Sequence, residues 1–132
     1  MLNFLYQFLL TPVHARLRYW SALVLFILIV IIGSIPGARA EAAVWATGLV
    51  LHGCAYAGLA FLIFTGASGN PSQRALKAVL HIAVMGAIDE LVQSTLSYRH
   101  GSIGDWYIDC IAALLSASFM WVLWTTRKVR AA

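Results

Sequence analysis

Apolar residues run along this chain in four long blocks separated by short polar breaks, at about 19–35, 42–65, 75–96 and 103–126. A bilayer core is about 30 Å thick, and about 20 apolar residues in helical form cross it. The pattern therefore predicts an all-α fold, a four-helix transmembrane bundle forming one domain over 1–132. The breaks carry helix-stopping chemistry: Pro36-Gly37 after the first block, GASGNPS over 66–72 after the second, and residues 97–104 before the fourth.

Residues 1–11 are apolar but too short to cross, and Pro12 closes them. They read as a short N-terminal interfacial helix held by Phe4, Tyr6 and Phe8, with an unstructured tail as the alternative. The first block followed by Ala38-Arg39-Ala40 also has the outline of a secretory signal. Its leading region is too long and too apolar for that pattern, so the block is expected to remain as a span.

Composition agrees with a lipid-covered fold. The chain is 61% hydrophobic and 11% charged, whereas a soluble domain carries about 25% charged residues. A net charge of +4 raises the question of nucleic acid, but the basic residues sit in short clusters beside apolar runs, without interleaved aromatics. Their placement instead sets orientation. Arg16 and Arg18 precede the first span, Arg74 and Lys77 lie between the second and third, and Arg127, Lys128 and Arg130 follow the fourth. The other side holds Arg39, offset by Glu41, and Arg99, which stands beside several acids. The excess predicts a multi-pass protein of the cell membrane with both termini cytoplasmic. Trp45 and Trp106 then mark the outer interface, and Tyr19, Trp20, Trp121 and Trp124 the inner one.

Small residues repeat at four-residue spacing in Gly53/Ala57, Ala83/Ala87, Ala112/Ser116 and Ala113/Ala117, and are expected to let helices approach closely. Cys54 and Cys110 fall at different depths of the predicted spans, and read as small buried hydrophobes rather than a disulfide.

The chemistry concentrates in the last third of the chain: Asp89-Glu90-Leu91-Val92-Gln93, then Arg99-His100-Gly101-Ser102, then Asp105 and Asp109. A charge within a span costs about 2.5–3.5 kcal/mol on insertion scales and faces the bundle interior. At about 1.5 Å of rise per residue, Asp89 and Glu90 lie about 10 Å from the outer end of the third span. On the same scale Asp109 lies about 9 Å down the fourth, and His52 about 15 Å down the second, near the midplane. Asp89 and Gln93, like Asp105 and Asp109, share a helix face, whereas Asp89 and Glu90 diverge by about 100°. Tyr56, one turn from His52, shares that residue's face. The expected pocket is thus His52, Tyr56, Asp89, Glu90, Gln93, Arg99, Ser102, Asp105 and Asp109, open to the outer leaflet.

In that pocket four carboxyl groups face one obligate cation, Arg99, plus His52 if protonated, so either a carboxyl is neutral or a cation or basic ligand group completes the site. A purely structural alternative is that the same charges pin the third and fourth spans together. His14, His81 and Tyr98 read as interfacial. No HExxH, P-loop, G-x-S-x-G or CxxC occurs, no cofactor or metal is called for, and no nucleophile stands out.

The string Asp89-Glu90-x-x-Gln93, Arg99-x-Gly101-Ser102 and Asp105 resembles the VanZ-like family, associated with resistance to the glycopeptide teicoplanin. His52-x-x-x-Tyr56 and Ser34-x-Pro36 match that family's second helix and the end of its first, so the likeness covers about 34–116. Asp109 stands where the family has Asn, and Ala112 where it has Gly. The resemblance implies a four-helix membrane domain with an envelope-related role. Two readings follow: a non-enzymatic protein that binds a lipid or envelope component through this pocket, or a small membrane enzyme acting on a lipid-linked substrate with Asp89 or Glu90 as acid or base. A transporter is a weaker third, since four spans would need an oligomer and no internal repeat is present.

Overall fold

The computed structural model describes residues 11–44 and 46–130, with Arg39 and residues 127–130 described by their backbone alone. The interfacial helix expected over residues 1–11 and the interface residue Trp45 fall outside the described residues, apart from Thr11. Among the described residues the chain is all-α. A 3-10 turn (Pro12–His14) leads into α1 (Ala15–Gly33), followed by a short α2 (Ala38–Ala43), α3 (Gly48–Gly66), α4 (Pro71–Ser94) and α5 (Ile103–Arg130).

Three of these segments are long and apolar enough to cross a membrane: Pro12–Gly33, Gly48–Gly66 and Ile103–Thr126. α4 has 24 residues, about 36 Å of helix, but Arg74, Lys77, Asp89 and Glu90 lower its hydropathy. The long apolar helices pack together, with α3 at the centre against α1, α4 and α5, and with α5 also along α4. The core they share is Tyr56, Leu59, Ile63 and Phe64 of α3, Ile82 and Met85 of α4, and Ala113, Ala117 and Met120 of α5. α1 contributes little to it, and leaves Val24, Ile27, Leu28, Ile31 and Ile32 exposed. So much continuous apolar surface is the kind that meets a membrane or an apolar partner surface.

Local chemistry sets the helix limits. At α4, Asn70 and Gln73 form a reciprocal capping box at 2.9 and 3.0 Å, with Pro71 at the first turn where its missing N–H costs nothing. Thr47 caps α3 by accepting from the Val50 amide. That cap corrects the expected second span: residues 42–47 are not its first turns, because Gly37, at φ 86°, turns the chain into the separate α2 before Thr47 restarts the helix. His52 therefore lies about 6 Å from the start of α3, less deep in its helix than the count from residue 42 implies.

Other expectations are also revised. Arg18, counted among the orienting charges, is 1% exposed, and its Nη2 donates to the carbonyls of Thr65 and Thr11, each at 2.8 Å. Thr65 lies in the last turn of α3, so the guanidinium satisfies a carbonyl that the helix cannot, at the negative end of the helix dipole. Of the small-residue pairs, Ala112, Ala113 and Ala117 are buried, and the Ser116 hydroxyl donates to the Ala57 carbonyl at 3.0 Å. Ala87, however, faces outward, and nothing approaches Gly53. Cys54 is exposed rather than buried, Cys110 is half-buried, and both are free thiols.

The loop end of the bundle near Gly69 is held by Trp121 Nε1–H donating to Ser72 at 3.1 Å, by Arg74 stacked 5.6 Å over Trp124, and by Tyr19 hydroxyl against His81 Nε2 at 2.8 Å. His81 Nδ1–H donates to the Lys77 carbonyl at 2.7 Å, which leaves Nε2 to accept from Tyr19. His81 thus ties α1 to α4, a packing role more specific than a place at an interface.

Candidate functional site

The polar residues gather at the opposite end, where α1, α3, α4 and the start of α5 meet beneath the 95–102 connection. Two close approaches shape this region. At Gly101 a Cβ would lie 2.5 Å from the Glu90 carbonyl oxygen, so only glycine lets the connection fold back onto α4. The Ser102 amide then donates to Glu90 Oε2, while Ser102 Oγ caps α5 by accepting from the Asp105 amide at 3.2 Å. At Gly86 a Cβ would lie 2.9 Å from Asp109 Oδ2 and 3.1 Å from Trp106 Cδ1. Glycine there makes room on α4 for the Asp109 carboxylate of α5. Trp106 Nε1–H fixes the same contact by donating to the Ala83 carbonyl at 2.9 Å.

Within this frame, His52 Nδ1 lies 3.0 Å from Asp109 Oδ1, and His52 Nε2 lies 3.9 Å from Asp105 Oδ2. The His52 ring stacks parallel to Tyr56, centroids 5.9 Å apart. The Tyr56 hydroxyl donates to Asp89 Oδ2 at 3.0 Å. Arg99 donates through Nη2 to Gln93 Oε1 at 2.5 Å and through Nη1 to the Gly33 carbonyl at 2.6 Å. The Tyr98 hydroxyl donates to the Ser34 carbonyl, so the connection is also stitched to the end of α1. All nine candidate residues lie at this end. They divide into three linked groups: His52, Asp105 and Asp109; Tyr56 and Asp89; and Gln93 with Arg99. Glu90 and Ser102 close the roof.

The divergence of Asp89 and Glu90 on the helix has a clear outcome, since Asp89 turns to Tyr56 on α3 and Glu90 to the Ser102 amide. Arg99 does not neutralise the acids as its position in sequence suggested. Among the described residues it forms no ion pair within 4 Å, and it is spent on a helix-end carbonyl and an amide oxygen. Gly86, the Gly33 carbonyl and Trp106 also shape this region, and motif reading did not single them out for it. Glycine in a helix interior, three residues before a buried Asp, was the one signal available for them.

A cavity of about 260 Å³ opens beside these groups. Ile29, Ile32, Leu51 and Ala55 line it together with the polar residues His52, Tyr56, Asp89, Gln93 and Arg99. Tyr56, Asp89 and Gln93 are almost fully buried. Asp109 is wholly buried and Glu90 is 9% exposed, and each has one carboxylate oxygen, Asp109 Oδ2 and Glu90 Oε1, without a hydrogen-bond partner among the described residues. Buried acceptors of this kind are costly to leave unpaired. No protein-family model matches the chain, and no curated protein or solved structure is significantly similar to it.

Proposed function

We propose that this chain is a four-span membrane protein of the VanZ-like type, and that its cavity receives the polar head group of a lipid or lipid-linked envelope component. One observation carries this reading: the cavity is lined mainly by apolar side chains and also takes in His52, Tyr56, Asp89, Gln93 and Arg99, the mixed lining of a site for an amphiphile. Its volume of about 260 Å³ suits a head group rather than a whole lipid, whose tails would lie along the exposed aliphatic face of α1. Arg99 lines the cavity with donors beyond the two it spends on Gln93 and Gly33, and a guanidinium recognises phosphate or carboxylate oxygens well.

In this reading α4 is the additional span, its acids shielded by α3 and α5 and its Arg74 and Lys77 at the membrane surface. The basic residues Arg16, Arg74 and Lys77 orient that surface to the cytoplasm, so the cavity belongs to the outer leaflet. The motif of Asp89, Glu90, Gln93, Arg99, Gly101, Ser102 and Asp105 supports the family assignment, since these residues build one end of one bundle.

The test is native mass spectrometry of the protein released from lipid nanodiscs. A lipid retained on the wild type and lost in Arg99→Gln and Ala55→Trp, with both variants folded, supports the reading. Equal retention by all three counts against it.

A membrane enzyme is the second reading, and one contact favours it: His52 lines the cavity with the Asp109 carboxylate behind its Nδ1, an arrangement suited to proton transfer. Turnover of a lipid-linked substrate that stops in His52→Gln while binding persists would separate it from simple binding.

A further inference from the structure

We infer that His52, Glu90 and Asp109 form a binding site for one divalent transition-metal cation, of the zinc or manganese class, set between α3, α4 and α5. One ligand atom from each residue lies within 4.8 Å of the other two. Metal–ligand bonds of about 2.0–2.6 Å place opposite ligands about 4–5 Å apart, so an ion reaches all three with only small side-chain movement.

A second, independent observation points the same way. Glu90 Oε1 and Asp109 Oδ2 are buried acceptors without hydrogen-bond partners among the described residues, on two of the same three residues. A cation supplies both of them with a ligand bond. It also brings positive charge to Glu90 and Asp109, with which Arg99, bonded to Gly33 and Gln93, forms no ion pair among the described residues. Gly86 belongs to the design: a side chain there would fill the space beside Asp109 Oδ2.

The donor set selects the ion. Magnesium and calcium prefer oxygen ligands alone, whereas imidazole with carboxylates suits zinc or manganese. Three protein ligands leave at least one coordination position for water or a ligand atom. The rest of each ligand is already oriented, as a binding site requires: Glu90 Oε2 is held by the Ser102 amide, and the His52 ring is held by its stack on Tyr56. The three residues lie far apart in sequence on three helices, so no local spacing announces them.

This inference does not depend on the head-group reading, and its test needs no lipid ligand. The full chain, purified in detergent and stripped with EDTA, is titrated calorimetrically with Zn²⁺, with Mn²⁺ and Mg²⁺ in parallel. One Zn²⁺ or Mn²⁺ per chain is expected, with binding weakened at least tenfold in each of His52→Ala, Glu90→Gln and Asp109→Asn, and unchanged in His81→Gln. X-ray absorption at the metal edge of the wild type is expected to show one imidazole among oxygen neighbours and no sulfur, a readout that stands even where a variant fails to fold. Absence of stoichiometric binding, a sulfur ligand, a preference for Mg²⁺, or binding that survives the combined triple variant overturns the assignment. The last of these would identify an adventitious surface ion.

Discussion

The His52 imidazole of α3 and the Asp109 carboxylate of α5 meet at 3.0 Å, although 57 positions separate them in the chain. The contact joins these two helices through two ionisable groups, and it sits where the bundle is most polar. Its expected signature is energetic coupling. In a double-mutant cycle of His52→Ala and Asp109→Ala, followed by unfolding in mixed micelles without added metal, the coupling is expected at about 1–2 kcal/mol, the upper part of the range for hydrogen bonds between membrane helices. Additive losses would mean that the two groups are neighbours without interacting.

Arg18 holds the C-terminal end of α3 from within α1, through the Thr65 carbonyl at 2.8 Å. Arg18→Ala leaves that buried carbonyl unpaired and is expected to cost about 1–3 kcal/mol. Arg18→Lys retains the charge and is expected to recover part of the loss. Thermal unfolding in detergent reads both. A variant as stable as the wild type would show that Arg18 acts only as a topological charge.

Gly101 permits the fold-back that brings the Ser102 amide to Glu90, with no room for a Cβ beside the Glu90 carbonyl. Gly101→Ala is expected to displace the 95–102 connection and to destabilise by about 1–3 kcal/mol, the usual penalty of overpacking. A sharper check is proteolysis: the connection is expected to become cleavable while α3 and the rest of α4 stay protected. Unchanged protection of the connection would place the strain elsewhere.

Topology is tested at two exposed positions at opposite ends of the bundle, His100 in the 95–102 connection and Ser68 before α4. After Cys54 and Cys110 are replaced by alanine, His100→Cys is expected to react with an impermeant maleimide on intact cells, and Ser68→Cys only after permeabilisation. The opposite result would turn the bundle over and put the polar cavity on the cytoplasmic side. Labelling of both positions from outside would remove α4 as a crossing segment.

Much of the architecture was written in local pattern. The lengths of the apolar blocks, the Pro36-Gly37 stop and the turn-rich 66–72 stretch place three apolar helices and the mixed α4 close to where they stand, because helix formation and helix breaking depend on residues a few positions apart. The grouping of Asp89, Glu90, Gln93, Arg99, Ser102, Asp105 and Asp109 at one end was legible for the same reason: adjacent antiparallel helices joined by a short connection must bring these positions to the same depth.

What the pattern did not decide was partnership. Whether Arg99 meets an acid or the Gly33 carbonyl, whether Arg18 faces water or the end of α3, and whether Ala87 or Gly86 receives the neighbouring helix depend on helix rotation and on contacts between distant segments. Asp89 and Glu90 are neighbours in sequence yet serve different helices, since about 100° of rotation separates them. Periodicity determined which residues share a face and a depth; only the packing of one helix against another, fixed by shape and by the satisfaction of buried polar groups, determined what each face would touch.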